Sequence, residues 1–153
     1  MKKFKFSLES VHRVREIRQE REMLTLRELQ LQAERAETDV RDVERLRLEA
    51  MRSYASRLKS REEISPMEME LSSNHFAALN RRQQDAERTL VEKNLECSKQ
   101  GVAVAAAVRE VKVTDKLKDT QLTRYERDRS RVEQNNLDEL VSTRFAKEIN
   151  TNQ

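Results

Sequence analysis

The stretch "EEISPMEMELSSNHF" (residues 62–76) carries the only proline of the chain, Pro66. The sequence on either side reads as helix, so this stretch decides between a single extended helix and a hairpin. Ser65-Pro66-Met67-Glu68 is a helix-start signal. The serine oxygen accepts from a free N–H in the first turn, Pro66 has no N–H to leave unsatisfied, and Glu68 reaches back to the serine N–H. Ser65, as the residue before a proline, is itself pushed out of helical geometry. Ser72-Ser73-Asn74 offers a competing start. The reading is one coiled-coil domain over 1–153, with a first helix at about 7–60, a turn at about 61–70 and a second helix at about 71–149.

Apolar residues on both sides recur in steps of three and four. In the first half they are Leu8, Val11, Val14 and Ile17, then Met23, Leu24, Leu26, Leu29, Ala33, Ala36, Val40, Val43, Leu46, Ala50, Tyr54 and Leu58. In the second they are Leu71, Phe76, Leu79, Ala86, Leu90, Cys97, Gly101, Val104, Val108, Val111, Leu122, Tyr125 and Val132. Each set is one stripe on an amphipathic helix. Ser7 is the expected cap of the first, with Glu9 favourable in its first turn. Asp115, Lys118 and Arg129 interrupt the second stripe, and polar seam residues weaken a coiled coil while fixing its register.

Folding the chain about residue 65 aligns the two stripes antiparallel. Tyr54 is then expected opposite Phe76, Val40 opposite Leu90, Ala33 opposite Cys97, Leu26 opposite Val104 and Leu8 opposite Leu122, with Phe4 beside Tyr125. The same register sets Leu29 against Gly101, which offers a packing reason for a mid-helix glycine. Large residues facing small ones bring two helices close without voids. The fold class is therefore all-α: a long two-helix antiparallel coiled-coil hairpin, its first arm on the order of 80 Å at about 1.5 Å per residue.

Composition agrees. Of 153 residues, 39% are charged and 4% aromatic, with 31 Lys and Arg against 28 Asp and Glu, and one Gly, one Pro and no Trp. Such a chain has too few apolar residues for a broad core, and its mixed charge without Pro, Gly or Ser tracts favours long helices over disorder. The longest apolar run, "GVAVAAAV", is far short of the roughly 20 residues a membrane span needs. "MKKFKFSLES" lacks the apolar segment of a secretory signal. A cytoplasmic protein without membrane insertion is the simplest reading.

Chemistry-bearing residues are sparse. His12 and His75 lie far apart in the hairpin and read as surface or seam-edge residues, with no metal-site spacing around either. Cys97 falls on the stripe and reads as a small hydrophobe. One glycine cannot build a phosphate loop, and a two-helix seam encloses no enzyme-sized pocket. No catalytic residue, metal or cofactor is expected, and the protein is not read as an enzyme. "HRVREIRQERE" looks basic, but Glu16, Glu20 and Glu22 interleave with its arginines. A DNA-reading helix excludes such acids, so no nucleic-acid partner is expected.

The arms are unequal. Residue 7 pairs with about residue 123, so the second helix outruns the first beyond Arg127. Val132, Leu137, Leu140, Val141, Phe145 and Ile149 still share a helical face. This overhang is a candidate docking surface, with Leu137, Leu140, Val141 and Phe145 as anchors, or a frayed tail. Arg127, Arg129, Arg131 and Arg144 stand ready to steer it toward an acidic channel.

"MKKFKFSLESVHRVREIRQERE" and "NNLDELVSTRFAKE" resemble the two ends of the flagellar FliJ family, and the length and hairpin are similar over the whole chain. Few aromatics stand near the tip, only Tyr54 and Phe76. The resemblance implies a component of the flagellar type III export apparatus, cytoplasmic and peripherally associated with the inner membrane at the flagellar base. The implied partners are the flagellar export ATPase, in whose ring the protein docks like a central stalk, the cytoplasmic region of the export gate, and substrate-specific export chaperones. Gate contact is implied near the tip, at Ala50, Tyr54, Phe76, Asn80 and Gln83, and ATPase contact at the overhang. Tyr54 and Phe76 could equally close the seam, and a homo-oligomeric structural coiled coil is the alternative reading of the chain.

Overall fold

The structure is a computed structural model that describes residues 3–60 and 63–151, with side chains described as far as residue 144. It is an all-α helical hairpin of two helices, α1 (Glu9–Lys59, 51 residues) and α2 (Pro66–Thr151, 86 residues), with no strand among the described residues. Among those residues, no helix is long and apolar enough to cross a membrane.

The local signals around Pro66 act together. Glu68 N–H donates to Ser65 Oγ at 3.3 Å, and Ser65 N–H donates to Glu68 Oε2 at 2.9 Å. This reciprocal capping box satisfies two backbone donors that a helix start otherwise leaves open. α2 therefore begins at Pro66, five residues before the expected boundary at Leu71. Ser72, from the competing start, lies inside the helix and donates its hydroxyl to Glu68 O at 2.8 Å. α1 ends with Ser60 Oγ donating to Arg57 O, and basic Arg57 and Lys59 occupy its last turn, where they complement the helix dipole.

The chain divides into two compact units, Glu20–Ala106 and Met1–Gln19 with Ala107–Gln153. The first, the turn unit, has a seam of three- and four-residue steps that alternate throughout α1 and, from Phe76 on, in α2. α1 contributes Glu22, Leu26, Leu29, Ala33, Ala36, Val40, Val43, Arg47, Ala50, Tyr54 and Arg57. α2 contributes Glu68, Ser72, Phe76, Leu79, Gln83, Ala86, Leu90, Lys93, Cys97, Gln100 and Val104. This is a heptad seam, and its most buried residues are Ala36, Val43 and Leu79. Leu46, Leu58 and Leu71, expected on the stripe, are exposed.

Tyr54 meets Phe76 as expected, edge to face with ring centroids 5.9 Å apart, and Arg47 Nη1 donates to Gln83 Oε1 at 2.9 Å on the same register. Further along, the register departs from expectation. Gln100 Nε2 donates to Glu22 O at 3.0 Å and to Glu22 Oε2 at 2.6 Å, whereas folding about residue 65 places Glu22 near residue 108. Gly101 also departs from its expected role. A Cβ built on it meets nothing within 4 Å, so close packing against Leu29 is not what calls for a glycine.

In the second, terminal unit the α1 side of the seam turns polar, while α2 still contributes Ala107, Val108 and Val111. Val11, Val14 and Ile17 are exposed, and His12, Arg15 and Gln19 take the inward positions. His12, at 7% exposure, is more buried than a surface or seam-edge residue; its Nδ1 lies 2.9 Å from Thr114 Oγ1. Thr114, not Asp115, occupies the seam of α2. Arg15 donates to Glu110 O at 3.0 Å, and Lys118 pairs with Glu9 at 3.1 Å. Leu8 and Leu122, expected to face each other, are both more than a third exposed.

The chain enters α1 through a turn at Ser7 and Leu8, and Leu8 O accepts from His12 N–H at 2.8 Å. Leu8 thus stands where Ser7 was expected to cap. Phe6 explains the displacement. It is 4% exposed and lies under Lys118 Nζ at 5.9 Å, so the residues before the helix follow the buried ring. Phe4 stacks beside Tyr125 with centroids 5.6 Å apart.

Candidate partner-docking surfaces

Two surfaces emerge, one in each unit. In the turn unit, Ala50, Ser53, Tyr54 and Arg57 of α1 face Leu71, Ser72, Asn74, His75 and Phe76 of α2 across a groove of about 590 Å³. Tyr54 and Phe76 are only half-buried. Their edge-to-face contact closes part of the seam and leaves ring surface on the groove wall. Leu71, which also lines the groove, is 71% exposed, and Met67 and Met69 nearby expose apolar surface too. A groove walled by aromatic and aliphatic side chains with a few polar groups suits the anchors of a protein partner.

Of the five tip residues singled out from the sequence, Ala50, Tyr54 and Phe76 come together in this groove. Asn80 is exposed and does not line it. Gln83 is half-buried and occupied, accepting from Arg47 and donating to Glu87 Oε1 at 2.9 Å. Arg57, Leu71 and His75 were not foreseen. Their place on the wall depends on how the turn rotates one helix against the other, which sequence spacing does not report.

The second surface is α2 beyond Tyr125. Every residue from 126 to 144 is exposed. Leu137 and Leu140 are each 62% exposed and Val141 52%, while the fourth expected anchor, the side chain of Phe145, lies outside the described residues. Apart from Val132, the seam positions of α2 turn polar in this stretch, with Asp128, Asn135, Glu139 and Ser142 following the heptad from Tyr125. Leu137, Leu140 and Val141 lie on another face of the helix. Arg129, counted among the steering cations, is paired with Glu133 at 2.7 Å, and that carboxylate holds its guanidinium above the usual value. Among the described residues, no group of three or more His, Cys, Asp or Glu is placed to hold a metal ion.

A long α-hairpin with a groove near its turn and an uncovered stretch of α2 fits many interaction proteins, and comparison with known families narrows it. The family model described as Flagellar FliJ protein matches residues 4–150, nearly the whole chain. The chain belongs to the FliJ family. FliJ proteins are non-enzymatic components of flagellar export, so this chain has an export-related role in building the flagellum. Nothing among curated proteins or solved structures matches it. The FliJ match takes in both the groove residues and the exposed stretch of α2.

Proposed function

We propose that this FliJ-family chain docks the exposed end of α2 in the ring of the flagellar export ATPase, as a central-stalk-like element. Through its tip groove it contacts the cytoplasmic region of the export gate, and it escorts substrate-specific export chaperones between them. It acts in the cytoplasm, peripherally associated with the inner membrane at the flagellar base. The observation that supports this reading is the helix from residue 126 to 144, every residue of which is exposed and whose Leu137, Leu140 and Val141 lie off the seam. An isolated helix of that length is marginal in water, and an amphipathic one gains its stability from a groove that takes its anchors.

Reconstitution with the purified ATPase tests the proposal. Deleting residues from Gln134 onward leaves the thermal melt within a few degrees of wild type, because the seam ends before them. The deletion also abolishes stimulation of ATP hydrolysis. Stimulation by the full chain weakens as salt rises if Arg127, Arg131 and Arg144 steer the approach. Normal stimulation by the truncated chain would refute ATPase docking through this end.

A further inference from the structure

Glu68 does two things at once. Its Oε2 accepts the Ser65 N–H that closes the cap of α2, and its Oε1 accepts from Arg57 Nη2 at 3.0 Å, across the turn, on the last turns of α1. Both side chains are about two-fifths exposed. Arg57 lines the tip groove, and Leu71 and Ser72 follow Glu68 by one helical turn on the opposite wall. One carboxylate therefore ties the start of one groove wall to the end of the other.

We propose that the Arg57–Glu68 ion pair is a clasp that sets the width of the tip groove, which makes both residues positioning residues for the partner that docks there. The clasp rests on the reading of the groove as a docking site only for its consequence in binding; its effect on geometry stands alone. The capping box by itself calls for either Glu or Gln at this position. Glu68 uses a separate oxygen for each partner; a glutamine that keeps its oxygen on the Ser65 N–H turns its NH2 toward Arg57 and brings no charge to attract it, so the cap survives and the clasp is lost. Glutamate is the residue that does both.

The experiment uses the full chain with Cys97→Ser. Spin labels at Arg52→Cys and Ser73→Cys, exposed positions off the groove wall, report the separation of α1 and α2 beside the groove. Binding of the purified cytoplasmic region of the export gate is measured on unlabelled protein. Glu68→Gln keeps the cap, broadens the distance distribution and weakens gate binding about threefold, the scale of a part-exposed ion pair. Arg57→Gln does the same, and Arg57→Lys recovers most of the distribution. Ser65→Ala, which loses the hydroxyl half of the capping box but keeps the ion pair, leaves the distribution narrow. An unchanged distribution in Glu68→Gln overturns the clasp, and a broadened distribution with undiminished gate binding overturns the positioning role. If wild type itself does not bind the gate, the docking reading fails while the distance measurement still judges the clasp.

Discussion

Within the turn unit, α1 meets α2 through Leu26, Leu29, Ala33, Ala36, Val40 and Val43; within the terminal unit it offers His12, Arg15 and Gln19 at equivalent heptad positions. The two regions show different ways of holding a helix pair. An apolar seam adheres well but discriminates poorly between registers one turn apart, because one aliphatic layer resembles the next. A polar seam adheres less and discriminates more, because each buried donor needs its own acceptor. Thr114 shows how specific this is. Its hydroxyl lies 2.9 Å from His12 Nδ1 and 2.8 Å from Val111 O, while His12 Nε2 faces the carboxylates of Glu16 and Asp115 at 3.3 and 3.5 Å.

The comparison can be broken from either side. The largest expected effect is at Phe6, the one buried aromatic among the described residues of the terminal unit. Phe6→Ala should cost about 3 kcal/mol, the lower end for a buried phenyl group, and hydrogen exchange should show the loss concentrated in residues 9–19 and 107–125. Next comes the polar layer. Thr114→Val leaves His12 Nδ1 without its hydrogen-bond partner and should cost about 1–3 kcal/mol by denaturant unfolding. His12→Leu combined with Thr114→Val should recover most of that, and cross-linking should then trap more than one register. If the double variant holds a single register, the polar layer does not specify alignment.

Smaller effects sharpen the picture. Gly101→Ala should stabilise by about 0.5–1 kcal/mol, since alanine is the better helix former and the added methyl group meets open space. Glu68 supplies the pH dependence. Its carboxyl is held below the usual 4.5, first by the Ser65 N–H and then by Arg57. The clasp therefore contributes fully above the unfolded carboxylate value and is lost as pH falls through the lower folded one. Glu68→Gln should flatten that acid-side slope in a thermal melt.

The hairpin was legible because Pro66 and its cap have a local mechanism and because period dominates long helices. The terminal seam was misread for a physical reason. Leu8, Val11, Val14 and Ile17 follow one another in steps of three, and repeated threes precess around a helix of 3.6 residues per turn. Only alternating threes and fours stay on the seam, and that pattern runs through His12, Arg15 and Gln19. Phe6 escaped notice because it precedes the helix, where no period applies. At the tip, Tyr54 and Phe76 were readable as an aligned pair. Arg57 and Leu71 were not, since the rotation of one helix about the turn puts them on the groove wall.

Everything proposed for the groove and the exposed end depends on α1 and α2 pairing within one chain. Cysteines at Arg47 and Gln83, hydrogen-bonded partners across the turn unit, test this most directly in a Cys97→Ser background. Treated with a short bis-maleimide at low protein concentration, the variant should give an internally cross-linked monomer that migrates faster on a denaturing gel. Covalent dimers alone, with no cross-linked monomer, would mean that the helices pair between chains and would contradict the hairpin.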